Sequence, residues 1–68
     1  MGEYVENKVQ ELRVIAGVTQ EELAARVGVS RQTVIAIEKG NYTPSVLLAL
    51  KIARFFKVTA EKLFTIKS

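Results

Sequence analysis

Apolar residues recur along this chain at intervals of three and four, the repeat of one face of an α-helix. Val5, Val9, Leu12 and Ala16 step by four, three and four, predicting a first helix from Tyr4 or Asn7 to Ala16, with Gly17 ending it. Leu23, Ala24 and Val27 form a second short stripe at i, i+1 and i+4, and Val34, Ile37 and Glu38 form a third at i, i+3 and i+4 after a break. These predict helices over about Gln20–Val27 and Ser30–Lys39, with Gly28 at the corner between them. Thr19 followed by Glu22 has the form of a capping box, and Ser30 is placed to cap the next segment. The turn is too short for the two helices to lie antiparallel, so residues 20–39 read as helix, turn, helix.

After Gly40 comes a loop, Gly40-Asn41-Tyr42-Thr43, and then Pro44, whose locked φ suits a first helical turn, with Thr43 as its cap. A fourth helix is predicted over Ser45 to about Phe56 with Val46, Ala49, Leu50, Ala53 and Phe56 inward. A break at Lys57-Val58 and a capping Thr59 precede a fifth helix from Ala60 to about Phe64. Met1–Glu3 are expected to fray. The pattern therefore predicts one all-α domain over residues 1–68, five short helices around a shared core. Helices below about 12 residues are marginal alone, so the core must set their mutual angles.

Composition narrows the chemistry. Within 68 residues there is no cysteine, histidine or aspartate, which leaves no thiol nucleophile, no imidazole base and none of the usual zinc ligand sets. Neither a catalytic site, a metal nor a cofactor is expected. Glu21 and Glu22 point in different directions from one helix turn and read as dipole complements. The net charge is +3, unevenly placed: residues 1–28 carry five acids and three bases, residues 29–68 seven bases and two acids. Such asymmetry suits a polyanionic partner on one face. No run approaches the roughly 20 apolar residues of a membrane span, so a cytoplasmic protein with no membrane partner is expected.

If Val34, Ile37 and Glu38 face inward, Arg31, Gln32, Ile35 and Ala36 lie on the opposite side of the third helix. Arg and Gln pair bidentately with guanine and adenine edges, and small or apolar groups suit a thymine methyl. A generic solvated helix face would carry the same residue types.

The segment from Asn7 to Phe64 resembles the Cro/repressor (XRE-type) helix-turn-helix family of phage and prokaryotic regulators. The resemblance rests on Leu12-Arg13, GVTQEELA at Gly17–Ala24, GVSRQTV at Gly28–Val34, IEKG at Ile37–Gly40, Pro44-Ser45, IARFF at Ile52–Phe56 and Leu63-Phe64. It implies a lambda-repressor-like domain acting on double-stranded DNA, as a repressor homodimer on a palindromic operator. By the same resemblance, Arg31, Gln32 and Ala36 read bases, while Gln20, Thr33 and the loop residues Lys39, Asn41, Tyr42 and Thr43 meet phosphates. Arg13 and Glu38 would form an internal ion pair. Ile35 departs from the small or polar residue common at its position; it reads a thymine methyl or is tolerated without a role. Apolar residues beyond the family pattern suggest a candidate dimer surface of Phe55, Leu63, Phe64 and Ile66. The rival reading is an antitoxin-like protein that uses such residues to bind a protein partner, with DNA binding secondary.

Overall fold

The structure, a computed structural model, describes residues 2–68; the fraying expected at the amino terminus falls partly on Met1, outside the described residues. In chain order it contains β1 (Tyr4–Asn7), α1 (Val9–Ala16), α2 (Gln20–Val27), α3 (Arg31–Glu38), α4 (Val46–Phe56), α5 (Ala60–Leu63) and β2 (Phe64–Lys67). All five expected helices form. The fold is not strictly all-α, because the two ends of the chain pair as an antiparallel ribbon with Val5 opposite Ile66 and Asn7 opposite Phe64.

That ribbon corrects the first helix. Asn7 stops it: its Oδ1 accepts from the Val9 N–H at 3.1 Å, and its Nδ2 donates to the Ile37 carbonyl at 2.8 Å. The same side chain thus satisfies the first N–H of α1, whose cap residue Lys8 makes no side-chain cap bond, and ties the start of that helix to the end of α3. Lys8 N–H donates to the Leu63 carbonyl at 3.0 Å, bringing the segment after α5 alongside β1. Val9 is buried as expected, whereas Val5 lies in the ribbon and Ala16 is exposed.

Every helix contributes to one core. Val9, Leu23, Val34, Ile37, Ile52 and Leu63 are each less than 2% exposed. The inward stripe of α4 also differs in part from expectation: Ala53 is buried as expected, but Leu48 and Ile52 are buried with it, while Val46 and Leu50 face out. This helix is apolar on nearly all sides, VLLALKIARFF, so periodicity does not single out the face that packs. Nor does Thr43 cap it. Ser45 does, its Oγ accepting from Leu48 N–H at 3.2 Å, and Pro44 lies outside the helix.

The helix-turn-helix is closed by two side-chain caps and one glycine. Thr19 Oγ1 accepts from Glu22 N–H at 3.0 Å while Glu22 Oε1 accepts from Thr19 N–H at 2.8 Å, a complete capping box. Gly28, at φ 78°, turns the chain with a conformation that side-chain-bearing residues adopt at a cost. Ser30 Oγ accepts from Thr33 N–H at 3.2 Å and starts α3. Hydrogen bonds from the Thr19 backbone and then its side chain hold the Glu22 carboxyl below its ordinary value of 4.5. The ionised form therefore stabilises α2 fully above the ordinary value, and that contribution is lost as pH falls through the lowered one. Glu22→Gln should unfold at a lower temperature than wild type at neutral pH, and the gap should narrow as the pH falls below the ordinary glutamate value and through the lowered one. Thermal midpoints across that range test it; a gap independent of pH would remove the assignment.

Candidate nucleic-acid interface

The caps and the core decide which side chains α3 presents. With Val34 and Ile37 buried, Arg31 and Gln32 are exposed at the amino-terminal end of the helix, and Thr33, Ile35 and Ala36 are half-buried. Thr33 Oγ1 lies 3.1 Å from Ser30 Oγ, so its hydroxyl belongs to the cap.

Two hollows flank the outer side of α3. Gln32, Thr33, Ala36, Asn41 and Tyr42 line one, bringing helix residues and loop residues of the expected set together. Arg13, Thr19, Gln20, Glu21 and Arg31 line the other, at the start of α2. There the capping box occupies the N–H groups of Thr19 and Glu22, and Gln20 and Glu21, as the first two residues of α2, have no intrahelical acceptor for theirs. The remaining expected residues are not gathered in. Lys39 and Thr43 line a separate hollow beside β1, and Ile35 lines neither of the two.

Beneath this face lies a polar network. Arg13 Nε donates to Glu38 Oε2 at 2.7 Å, Nη2 to Oε1 at 3.3 Å, and Nη1 to the Val18 carbonyl at 3.0 Å. The Arg13 and Glu38 side chains are only 12% and 4% exposed, so the expected internal ion pair is present and nearly dry. Gln20 joins it, its Nε2 donating to Glu38 Oε1 at 3.0 Å. Among the described residues no buried side-chain nitrogen or oxygen lacks a partner. Periodicity missed the Gln20 bond and the Asn7 bridge, since both join residues far apart in sequence; only an Asn two places before an apolar run hinted at a cap.

The sequence model of the helix-turn-helix family matches residues 9–63, from the first residue of α1 to the last of α5. The chain belongs to the XRE-type helix-turn-helix regulator family. An uncharacterised HTH-type transcriptional regulator of Methanocaldococcus jannaschii is 55% identical over 60 residues, covering 88% of this chain and 91% of its own. One from Bacillus subtilis is 57% identical with the same coverage. The crystal structure of the restriction-modification controller protein C.AhdI from Aeromonas hydrophila superposes with a TM-score of 0.75 at 31% identity, covering 81% of this chain and 83% of that one. As an XRE-type domain this protein is a DNA-binding regulator. Among the described residues no helix is long and apolar enough to cross a membrane.

Proposed function

We propose that the protein is a sequence-specific repressor that binds a palindromic operator as a homodimer, with α3 in the major groove. The observation that carries this reading is the outward placement of Arg31 and Gln32 on the first turn of a capped helix, flanked by one hollow that gathers Gln20 and Arg31 and another that gathers Gln32, Asn41 and Tyr42. Arg31 and Gln32 read base edges, and Ala36 admits a thymine methyl. Thr33, Asn41 and Tyr42 grip phosphate on one side and Gln20 on the other, beside the positive end of α2. Lys39 adds charge from the loop, so binding should weaken steeply with salt. A dimer seated over a promoter represses by excluding other proteins from the same groove.

A second copy covers the apolar face left open by α4. Val5, Ile66 and Phe64 share one side of the terminal ribbon, and Val5 and Phe64 border with Pro44, Val46 and Leu50 a shallow groove in which Glu61 is, among the described residues, the one charged side chain. Val46 is 77% exposed, Ile66 71% and Leu50 50%, so these apolar side chains stand open to solvent on this face. The candidate surface drawn from the sequence is revised accordingly. Leu63 is fully buried and leaves it, because it closes the core under α5. Phe55 leaves it too: it packs edge-to-face on Phe56 and under the Arg26 guanidinium, 5.5 Å from its ring.

Selection of bound sequences from a random duplex pool tests the whole reading; a motif with two-fold symmetry and half-sites about 34 Å apart is expected. On that operator Arg31→Ala should cost about 1–3 kcal/mol and relax preference at one base position. Equal weakening on operator and random DNA would show that Arg31 does not read sequence.

A further inference from the structure

Glu38 stands at the wrong end of its helix. It is the last residue of α3, where the macrodipole is negative and a carboxylate is disfavoured, and no basic residue accompanies it in that turn. A carboxylate kept against the local rule points to another use. Its Oε1 accepts from both Arg13 Nη2 and Gln20 Nε2. Because a carboxylate can only accept, the amide of Gln20 is held with its nitrogen toward Glu38, one N–H engaged and the other free. That free N–H belongs to the first residue of α2, in the hollow that also holds Arg13 and Arg31.

We propose that the buried Arg13–Glu38 pair is a positioning device for DNA-backbone binding: Glu38 orients the Gln20 amide, and Arg13 cancels the charge that would otherwise repel the phosphate Gln20 receives. The inference rests on the DNA-binding reading above. A phosphate oxygen and the Glu38 carboxylate would share one amide nitrogen as their donor, which sets the two anions only a few ångströms apart. At that separation an uncancelled carboxylate disfavours phosphate severalfold even with substantial screening. All three guanidinium nitrogens of Arg13 already have acceptors, two contacts to Glu38 and one to the Val18 carbonyl, so its charge is pinned beneath Gln20. Arg13 and Glu38 then act through Gln20, and their removal affects every duplex alike.

The test compares wild type, Arg13→Gln, the double variant Arg13→Gln/Glu38→Gln, and Gln20→Met. Dissociation constants for the selected operator and a random duplex are measured by fluorescence anisotropy at two salt concentrations, per folded protein as read by circular dichroism. Arg13→Gln should bind both duplexes roughly tenfold more weakly. Neutralising Glu38 in the same chain should recover most of that loss, although it removes a second member of the buried network. A purely structural pair predicts no such recovery. Gln20→Met, which leaves the fold's core untouched, should weaken both duplexes severalfold and equally. Wild-type affinity in folded Arg13→Gln, or no gain in the double variant, would overturn the shield. If Arg13→Gln does not fold, Gln20→Met decides: undiminished binding there overturns the proposal. Failure of the wild-type chain to bind any duplex at low salt would overturn the DNA-binding reading itself, an outcome distinct from unequal behaviour among the variants.

Discussion

Replacing Glu38 by alanine should lower the free energy of unfolding by about 3 kcal/mol, the cost of stranding a buried charge. The loss arises from what remains. Arg13, 12% exposed, keeps its full charge but loses the acceptor of its Nε and Nη2, and Gln20 loses its partner as well. Water cannot fully replace a carboxylate that is itself only 4% exposed. Arg13→Ala should cost a similar amount, because it leaves the opposite charge unpaired in the same place. A chain of this length has about 3–10 kcal/mol of stability in total, so either variant removes a large share of it. The thermal midpoint should fall by roughly 15 °C. The second ion pair provides the contrast. Lys67 Nζ lies 3.8 Å from Glu6 Oε1 with both side chains about half exposed, at 49% and 56%. Screened by water, it contributes less than about 1 kcal/mol, so Glu6→Ala should leave the midpoint nearly unchanged. Denaturant unfolding of the three variants checks this; equal midpoints for Glu38→Ala and wild type would remove the claim.

Leu50→Lys should abolish the proposed dimer and reduce operator affinity by about two orders of magnitude while leaving the monomer folded. Leu50 is half exposed on α4 and borders the groove between Val46 and Phe64, outside the ten-residue core. Its replacement therefore removes little intramolecular packing. Across the proposed two-fold interface the substitution would count twice, because each copy would present the same face to the other and the new charges would be desolvated together. Two linked half-site contacts reinforce one another by roughly 10²–10⁴, and a monomer forfeits that gain. Sedimentation velocity should show a monomer, circular dichroism an unchanged helical signal, and anisotropy a binding curve of single half-site strength. A Leu50→Lys chain that remains dimeric would place the interface elsewhere. Phe55→Ala is the matched control, since that ring packs within its own chain against Phe56 and Arg26.

The helix-turn-helix was legible because its determinants are local. Thr19 and Glu22, Ser30 and Thr33, and Gly28 act within three or four residues of one another, and each cap formed as its spacing predicts. Leu23, Ala24, Val27, Val34 and Ile37 were legible for the same reason: a helix with one apolar stripe has one way to face a core. The α4 stripe was not. Where almost every position is apolar, the buried side is chosen by the shape of the neighbours, and Val46 and Leu50 lost that choice to Leu48 and Ile52. The ribbon was equally hidden. Tyr4–Asn7 shares no local pattern with Phe64–Lys67; the two meet because α5 returns the carboxyl terminus to the start of α1, where Lys8 and Asn7 find partners on Leu63 and Ile37.

The five helices, the outward placement of Arg31 and Gln32 on α3, and the Arg13–Glu38 pair were thus determined by the sequence itself, through caps, period and family spacing. Tertiary structure decided three further things: that the chain ends pair as strands, that the open apolar face is built from Val5, Val46, Leu50, Phe64 and Ile66, and that Gln20 is clamped by Glu38. The physical reason is the same in each case. A hydrogen bond or contact between residues separated by 18 positions, as in Gln20 and Glu38, leaves no periodic trace, because its geometry exists only once the core has fixed the angle between α2 and α3.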